Sequence, residues 1–203
     1  DTGTKAAKGG FAVGGLSPGK GAPNQYLTIE KDSARIFVDN TGKANKGGFA
    51  VGGLTPGKGQ GVNFLDLTPD NYFIGDSAGL ENTTGLYNSF IGYASGALNT
   101  SGNSNVFMGF KAGFNADTGS NNVLIGYNSG YSNQYGSNNV FLGYEAGAYN
   151  GTPSIVADDN VFIGYQSGMN NNGTRNVFIG KNSGQSNNSG IDNVFLGHRA
   201  GIS

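Results

Sequence analysis

The 203-residue chain has no cysteine, no tryptophan, one histidine and five prolines, and charged side chains make up only 12% of it. The absence of cysteine excludes disulfide frameworks, thiol nucleophiles, cysteine-based zinc sites and iron–sulfur clusters, and leaves the redox compartment open. A single imidazole, His198, cannot build a histidine-rich metal centre. Twelve basic against thirteen acidic groups give a net charge of −1, too little basic field to hold a phosphate backbone, so nucleic acid is not an expected partner. No run approaches the ~18 consecutive apolar residues of a spanning helix, and no membrane insertion is expected. The start at Asp1 lacks the charged and apolar regions of a secretory leader, so any such segment is expected to have been removed.

Glycine and asparagine fill the space that these residues leave. The 38 glycines are far above the usual share of about 7%, and there are 27 asparagines. Both are arranged periodically. A motif begins at Asn71, Asn88, Asn105, Asn122, Asn139, Asn160, Asn176 and Asn193, at spacings of 17, 17, 17, 17, 21, 16 and 17 residues. Each copy runs Asn, usually Val, then Phe or Leu, then Ile, Leu or Met, then Gly, as in Asn105-Val106-Phe107-Met108-Gly109. Position nine is always Gly, preceded by Ser or Ala, and a polar stretch suited to turns follows.

Three apolar residues closed by glycine are too few for a helix and suit a short strand, and the period is too short for helical repeats. The expected fold is therefore all-β. Residues 71–203 form a parallel β-solenoid, or β-roll, of eight ~17-residue coils, about 38 Å long at ~4.8 Å per coil. The Asn column is expected to hydrogen-bond between coils and to turn backbone.

Successive strand residues face opposite ways, so Val106 and Met108 share one face and Phe107 takes the other. Both faces are apolar. One can fill the coil, and the other would be an exposed stripe of the kind that marks an interface. The Phe column is assigned to that interface: Phe73, Phe90, Phe107, Phe141, Phe162, Phe178 and Phe195, with Leu124 in the same column, closing a homotrimer.

Residues 1–70 read as a separate Gly-rich β module. Lys8 to Gly21 recurs as Lys46 to Gly59 at a period of 38 residues, with Thr55 in place of Ser17. Between the copies, Tyr26–Ile29 and Arg35–Val38 are strand-like and Glu30–Ala34 is a hairpin connection. Eight basic and six acidic groups before residue 71, against four and seven after it, support a boundary near residue 70.

Chemical motifs are few. Gly14–Lys20 and Gly52–Lys58 match G-x-x-x-x-G-K, but Gly21 and Gly59 stand where a phosphate-binding loop needs Ser or Thr, and no helix pattern follows. The Asp-bearing nonapeptide of calcium-binding solenoids is absent, and Asp158-Asp159 in the 21-residue coil is better read as a solvated pair than as a cation site. Sequon-like triplets at Asn82, Asn99, Asn150, Asn172 and Asn187 follow from composition. His198 takes position six of the last coil, where earlier coils have Tyr93, Phe110, Tyr127, Tyr144 and Tyr165. No nucleophile with a nearby base is visible, so no enzyme activity and no cofactor are expected. If the position-six rings face outward, Tyr127, Tyr131 and Tyr144 are the candidate residues for glycan or host protein. Ice binding would want regular outward Thr ranks, which are missing.

In their Asn-Val-Phe-Ile-Gly-Tyr-x-Ser-Gly coils, residues 71–203 resemble the β-roll heads of YadA-like trimeric autotransporter adhesins. They are more similar still to the Asn-x-x-Ile-Gly-Tyr repeats of bacterial surface and phage-like tail-fibre proteins. The Lys-Gly-Gly-Phe-Ala-Val-Gly-Gly segments resemble the accompanying module of large repetitive Bacteroidetes-type proteins. The resemblance implies an extracellular, cell-surface or tail-fibre structural segment that trimerises, with an adhesin head as the alternative. Neither a membrane anchor nor a trimerisation chaperone follows the last coil, so a fragment or processed fibre section is expected. Neither Asn71 nor Ser203 adjoins an evident polar cap, and open coil ends favour end-to-end assembly into a filament as a further alternative.

Overall fold

The computed structural model describes residues 64–151 and 155–202, together with the backbone of strand segments at 27–30, 33–36, 49–53 and 62–63. It divides into two compact units, residues 1–47 and 48–203. In the first, β1 (Leu27–Glu30) and β2 (Ser33–Ile36) pair antiparallel with Leu27 opposite Ile36, which is the expected hairpin with its strands closer together. The first Gly-rich copy, residues 8–21, lies outside the described residues, as do Lys20 and Lys58 of the two loop motifs.

The second unit is a single ten-stranded sheet. It begins with β3 (Phe49–Gly53) and β4 (Val62–Leu67), an antiparallel pair. The second Gly-rich copy thus supplies a strand to the sheet of the coils, upstream of the charge boundary near residue 70. Next comes β5 (Asn71–Ile74), which pairs antiparallel with β4, Leu65 opposite Ile74. The edge expected to be open at Asn71 is therefore covered.

From β5 onward every pairing is parallel. The strands are β6 (Asn88–Ile91), β7 (Val106–Met108), β8 (Val123–Ile125), β9 (Val140–Leu142), β10 (Val161–Ile163), β11 (Val177–Ile179) and β12 (Val194–Leu196). Equivalent positions lie in register, and even across the 21-residue coil Phe141 stands opposite Phe162. The fold is a parallel β-solenoid, and no helix occurs among the described residues.

Local chemistry explains the short strands. Each ends at a position-five glycine with φ near 133°; at Gly143 a Cβ would come within 2.5 Å of the Gly164 carbonyl oxygen, so both backbone and packing demand glycine. Position nine is small for another reason. A Cβ on Gly113 would sit 2.6 Å from the Phe107 ring of its own coil. Position seven adopts left-handed backbone without glycine, as at Lys111 (φ 53°) and Glu145 (φ 52°), a conformation costing about 1–2 kcal/mol. The cost is offset by regular inter-coil bonds: the Lys111 N–H donates to Tyr93 O at 2.9 Å and that of Glu145 to Tyr127 O at 2.8 Å.

The coil interior holds the position-three side chains. Phe90, Phe107, Leu124, Phe141, Phe162 and Phe178 are 0% exposed. Phe90 and Phe107 stack at 4.7 Å and Phe141, Phe162, Phe178 and Phe195 at 4.8–4.9 Å, nearly parallel, with Leu124 dividing the two runs. Each such ring contributes about 1.5–3 kcal/mol by burial. At position eight, the hydroxyls of Ser95, Ser129 and Ser167 donate to the position-three carbonyl of the next coil, at 2.9–3.1 Å.

Two asparagine columns complete the interior. At position one, each Oδ1 accepts the N–H of the next coil's Asn at 2.9–3.0 Å, from Asn71 through Asn193, and Nδ2 donates to a turn carbonyl of its own coil, as from Asn105 to Gly119 at 2.9 Å. At position twelve, a second ladder runs from Asn187 to Asn171, Asn150 and Asn133, amide to amide at 2.8–3.0 Å.

Candidate functional site

Strand alternation that sends the rings inward sends positions two and four outward. Val106 and Met108 of β7 are exposed, and Val123, Ile125, Val140, Ile163 and Ile179 are partly so. Six successive strands, β7 to β12, have Val at position two. At ~4.8 Å between strands and ~3.3 Å per residue, the whole outward face from β5 to β12, including Tyr72 and Ser89 at its first two strands, measures roughly 34 by 10 Å. That is the size of the largest apolar patches on ordinary monomers, which are commonly functional.

This arrangement corrects one expectation. Phe73, Phe90, Phe107, Phe141, Phe162 and Phe178 are buried within their own chain and Phe195 is partly buried against the same core, so the Phe column is not an oligomer interface. A ring is larger than Val or Ile and gains more by full burial, and the position-nine glycines make room for it.

The position-six rings do face outward. Tyr93, Phe110, Tyr127, Tyr144 and Tyr165 are 41–49% exposed and stack at 5.0–5.3 Å in a continuous ladder. The Lys111 ammonium lies 5.5 Å from the Phe110 ring centre and 5.3 Å from that of Phe114, and Lys181 lies 5.5 Å from Tyr165, within cation–π range. The Tyr144 phenol is held above its ordinary pKa, by loss of hydration first and then by the Glu145 carboxylate and the phenols of Tyr127 and Tyr165. Tyr131 is partly buried and stacks on Phe114 at 5.3 Å. Of the three tyrosines picked out for binding, Tyr127 and Tyr131 border one 230 Å³ hollow with Phe110, Lys111, Asn128 and Tyr149, and Tyr144 is the next ring over Tyr127, at 5.0 Å.

Other charged groups are engaged in local contacts. Asp158 accepts the Ser137 N–H at 2.7 Å and Asp159 accepts the Asn138 side-chain amide at 3.0 Å, so each ties its coil to the preceding one. Among the described residues no group of three His, Cys, Asp or Glu is placed to hold a metal. His198 is exposed at the end of the position-six row. Arg175 and Asp192 form a solvent-exposed ion pair at 2.6 Å that holds the Asp192 carboxyl below its ordinary pKa; exposed pairs of this kind add little stability.

Two surfaces escaped the sequence reading. The aliphatic face was hidden because both strand faces are apolar, although a signal existed: position two tolerates Tyr72 and Ser89, whereas position three is never polar. The second is a polar groove along positions eleven and thirteen, foreshadowed by the rows of Asn, Gln, Ser and Thr there.

Fold and surface together define a β-solenoid repeat protein with a buried aromatic core and an outward aliphatic sheet. Comparison of the chain with family models, curated proteins and solved structures finds no match.

Proposed function

We propose that this chain is a non-enzymatic structural segment of an extracellular fibre, and that copies pack through the aliphatic sheet face, most simply as a homotrimer around an axis along the coil stack. One observation supports it above the rest: Val and Ile, Leu or Met stand in two in-register ranks on a face that nothing among the described residues of the solenoid covers. The occupant best suited to a repeat of one coil is the same repeat on another copy, and closure around an axis removes the apolar area from water. Stacked coils carry load by ladders along their length, which is a mechanical rather than a chemical role.

Light scattering tests the proposal. The mass expected is near three times the 20.8 kDa chain, and Val140→Lys combined with Ile163→Lys should give a monomer with an unchanged β spectrum. A monomeric wild-type chain overturns the assembly, and a much larger, polydisperse mass replaces the trimer with an end-to-end filament. A second reading, an adhesin head binding through Tyr127, Tyr131 and Tyr144, is favoured by the convergence of Tyr127 and Tyr131 on one hollow.

A further inference from the structure

A groove of 860 Å³ runs along the solenoid from the first coil to the seventh. Its walls are two rows, with Ser132, Tyr149 and Asn170 at position eleven and Asp117, Gln134 and Asn172 at position thirteen. We propose that this groove binds a neutral linear polysaccharide, one sugar to about one coil.

Charge narrows the ligand first. Glu81 and Asp117 are the charged residues of the lining, Asp117 already accepts the Thr100 hydroxyl, and no basic side chain is present. A nucleic acid or a sulfated chain would enter with nothing to neutralise its anions. What the groove offers is amides and hydroxyls. The Gln134 side chain, partly exposed on the lining, takes no part in the coil ladders and is available to a sugar hydroxyl. Half-exposed Tyr149 supplies a ring against which the C–H face of a sugar can stack.

Spacing narrows it further. Equivalent groups recur once per coil, at ~4.8 Å, whereas an extended peptide advances ~3.4 Å per residue and falls out of register after two or three coils. A pyranose in an extended chain advances by about one coil spacing. Successive sugars therefore meet the same pair of rows, and affinity accumulates along the groove.

The test is titration calorimetry on the full chain with β-1,4-linked hexasaccharides of glucose, mannose and xylose. At least one should bind, more tightly than its disaccharide, and Tyr149→Ala and Gln134→Ala should each weaken it about tenfold, the value of one lost contact. Arg175→Ala, in the exposed ion pair and outside the groove lining, should leave it unchanged. Silence across the panel overturns the proposal, as does binding indifferent to the two groove substitutions. Tyr149 borders the aromatic hollow as well, so binding lost with Tyr127→Ala but kept with Gln134→Ala transfers the site to that hollow and also overturns the proposal. Scattering mass measured on the same samples reads the fibre proposal separately, so either can fail alone.

Discussion

Asn122 sits at 0% exposure with its amide fully engaged: Oδ1 accepts the Asn139 N–H at 2.9 Å, and Nδ2 donates to the Gly136 carbonyl at 2.8 Å. Asn122→Asp keeps the acceptor but removes the donor and sets a carboxylate against a carbonyl oxygen in the core. Burial raises the folded-state pKa of that carboxyl above its unfolded value of about 3.9. The variant should therefore be near wild-type stability below that pH and lose about 1.4 kcal/mol per pH unit above it, until the folded pKa is reached. Urea unfolding at several pH values measures the slope, and a pH-independent difference from wild type would contradict the buried ladder. The position-twelve ladder holds the converse case. Ala116 interrupts it, and both polar atoms of the Asn99 side chain and Oδ1 of Asn82 are buried without partners. The backbone matches its neighbours: the N–H of Asn99, Ala116 and Asn133 each donates to the carbonyl three residues earlier at 3.0 Å. Ala116→Asn should complete the ladder and raise stability by about 1 kcal/mol, read as a higher urea midpoint; a lower midpoint would show that the interior there has no room for an amide.

At the scale of the element, the strands were legible because their signal is local. Three residues between an Asn and a Gly, the last two apolar in all eight copies and the first Val in six, leave little choice but a short strand per coil. Side-chain direction was less legible, since alternation says that Val106 and Phe107 oppose each other but not which of them faces the core. The deciding information sits six residues downstream, in a glycine whose Cβ would collide with the ring. That contact is made across a turn, and it is visible only once the turn has folded the chain back over its own strand. The same holds for the groove, whose two rows are separated in the chain by a buried position and become walls only when coils stack. The aromatic ladder was identified as a column from its spacing, and its outward direction is a property of the turn after position five.

Taken as a whole, the coils form a one-dimensional assembly, in which each coil touches its neighbours and stability is a sum of coil and interface contributions. Separation along the stack should therefore decide whether two core substitutions interact. Leu124 already occupies the Phe column, so Phe→Leu is a change the interior accommodates. Phe162 and Phe178 stack at 4.9 Å, and a double substitution Phe162→Leu with Phe178→Leu removes their shared contact only once. Its loss of stability should fall short of the sum of the single losses by about 0.5–1.5 kcal/mol, the worth of an aromatic pair. Phe90→Leu combined with Phe178→Leu lies on opposite sides of Leu124 and should be additive to within about 0.5 kcal/mol. Chemical unfolding of the three single and two double variants measures both quantities. Equal coupling in the near and distant pairs would mean that the solenoid responds as one rigid body, and that nearest-neighbour stacking is not what holds it together.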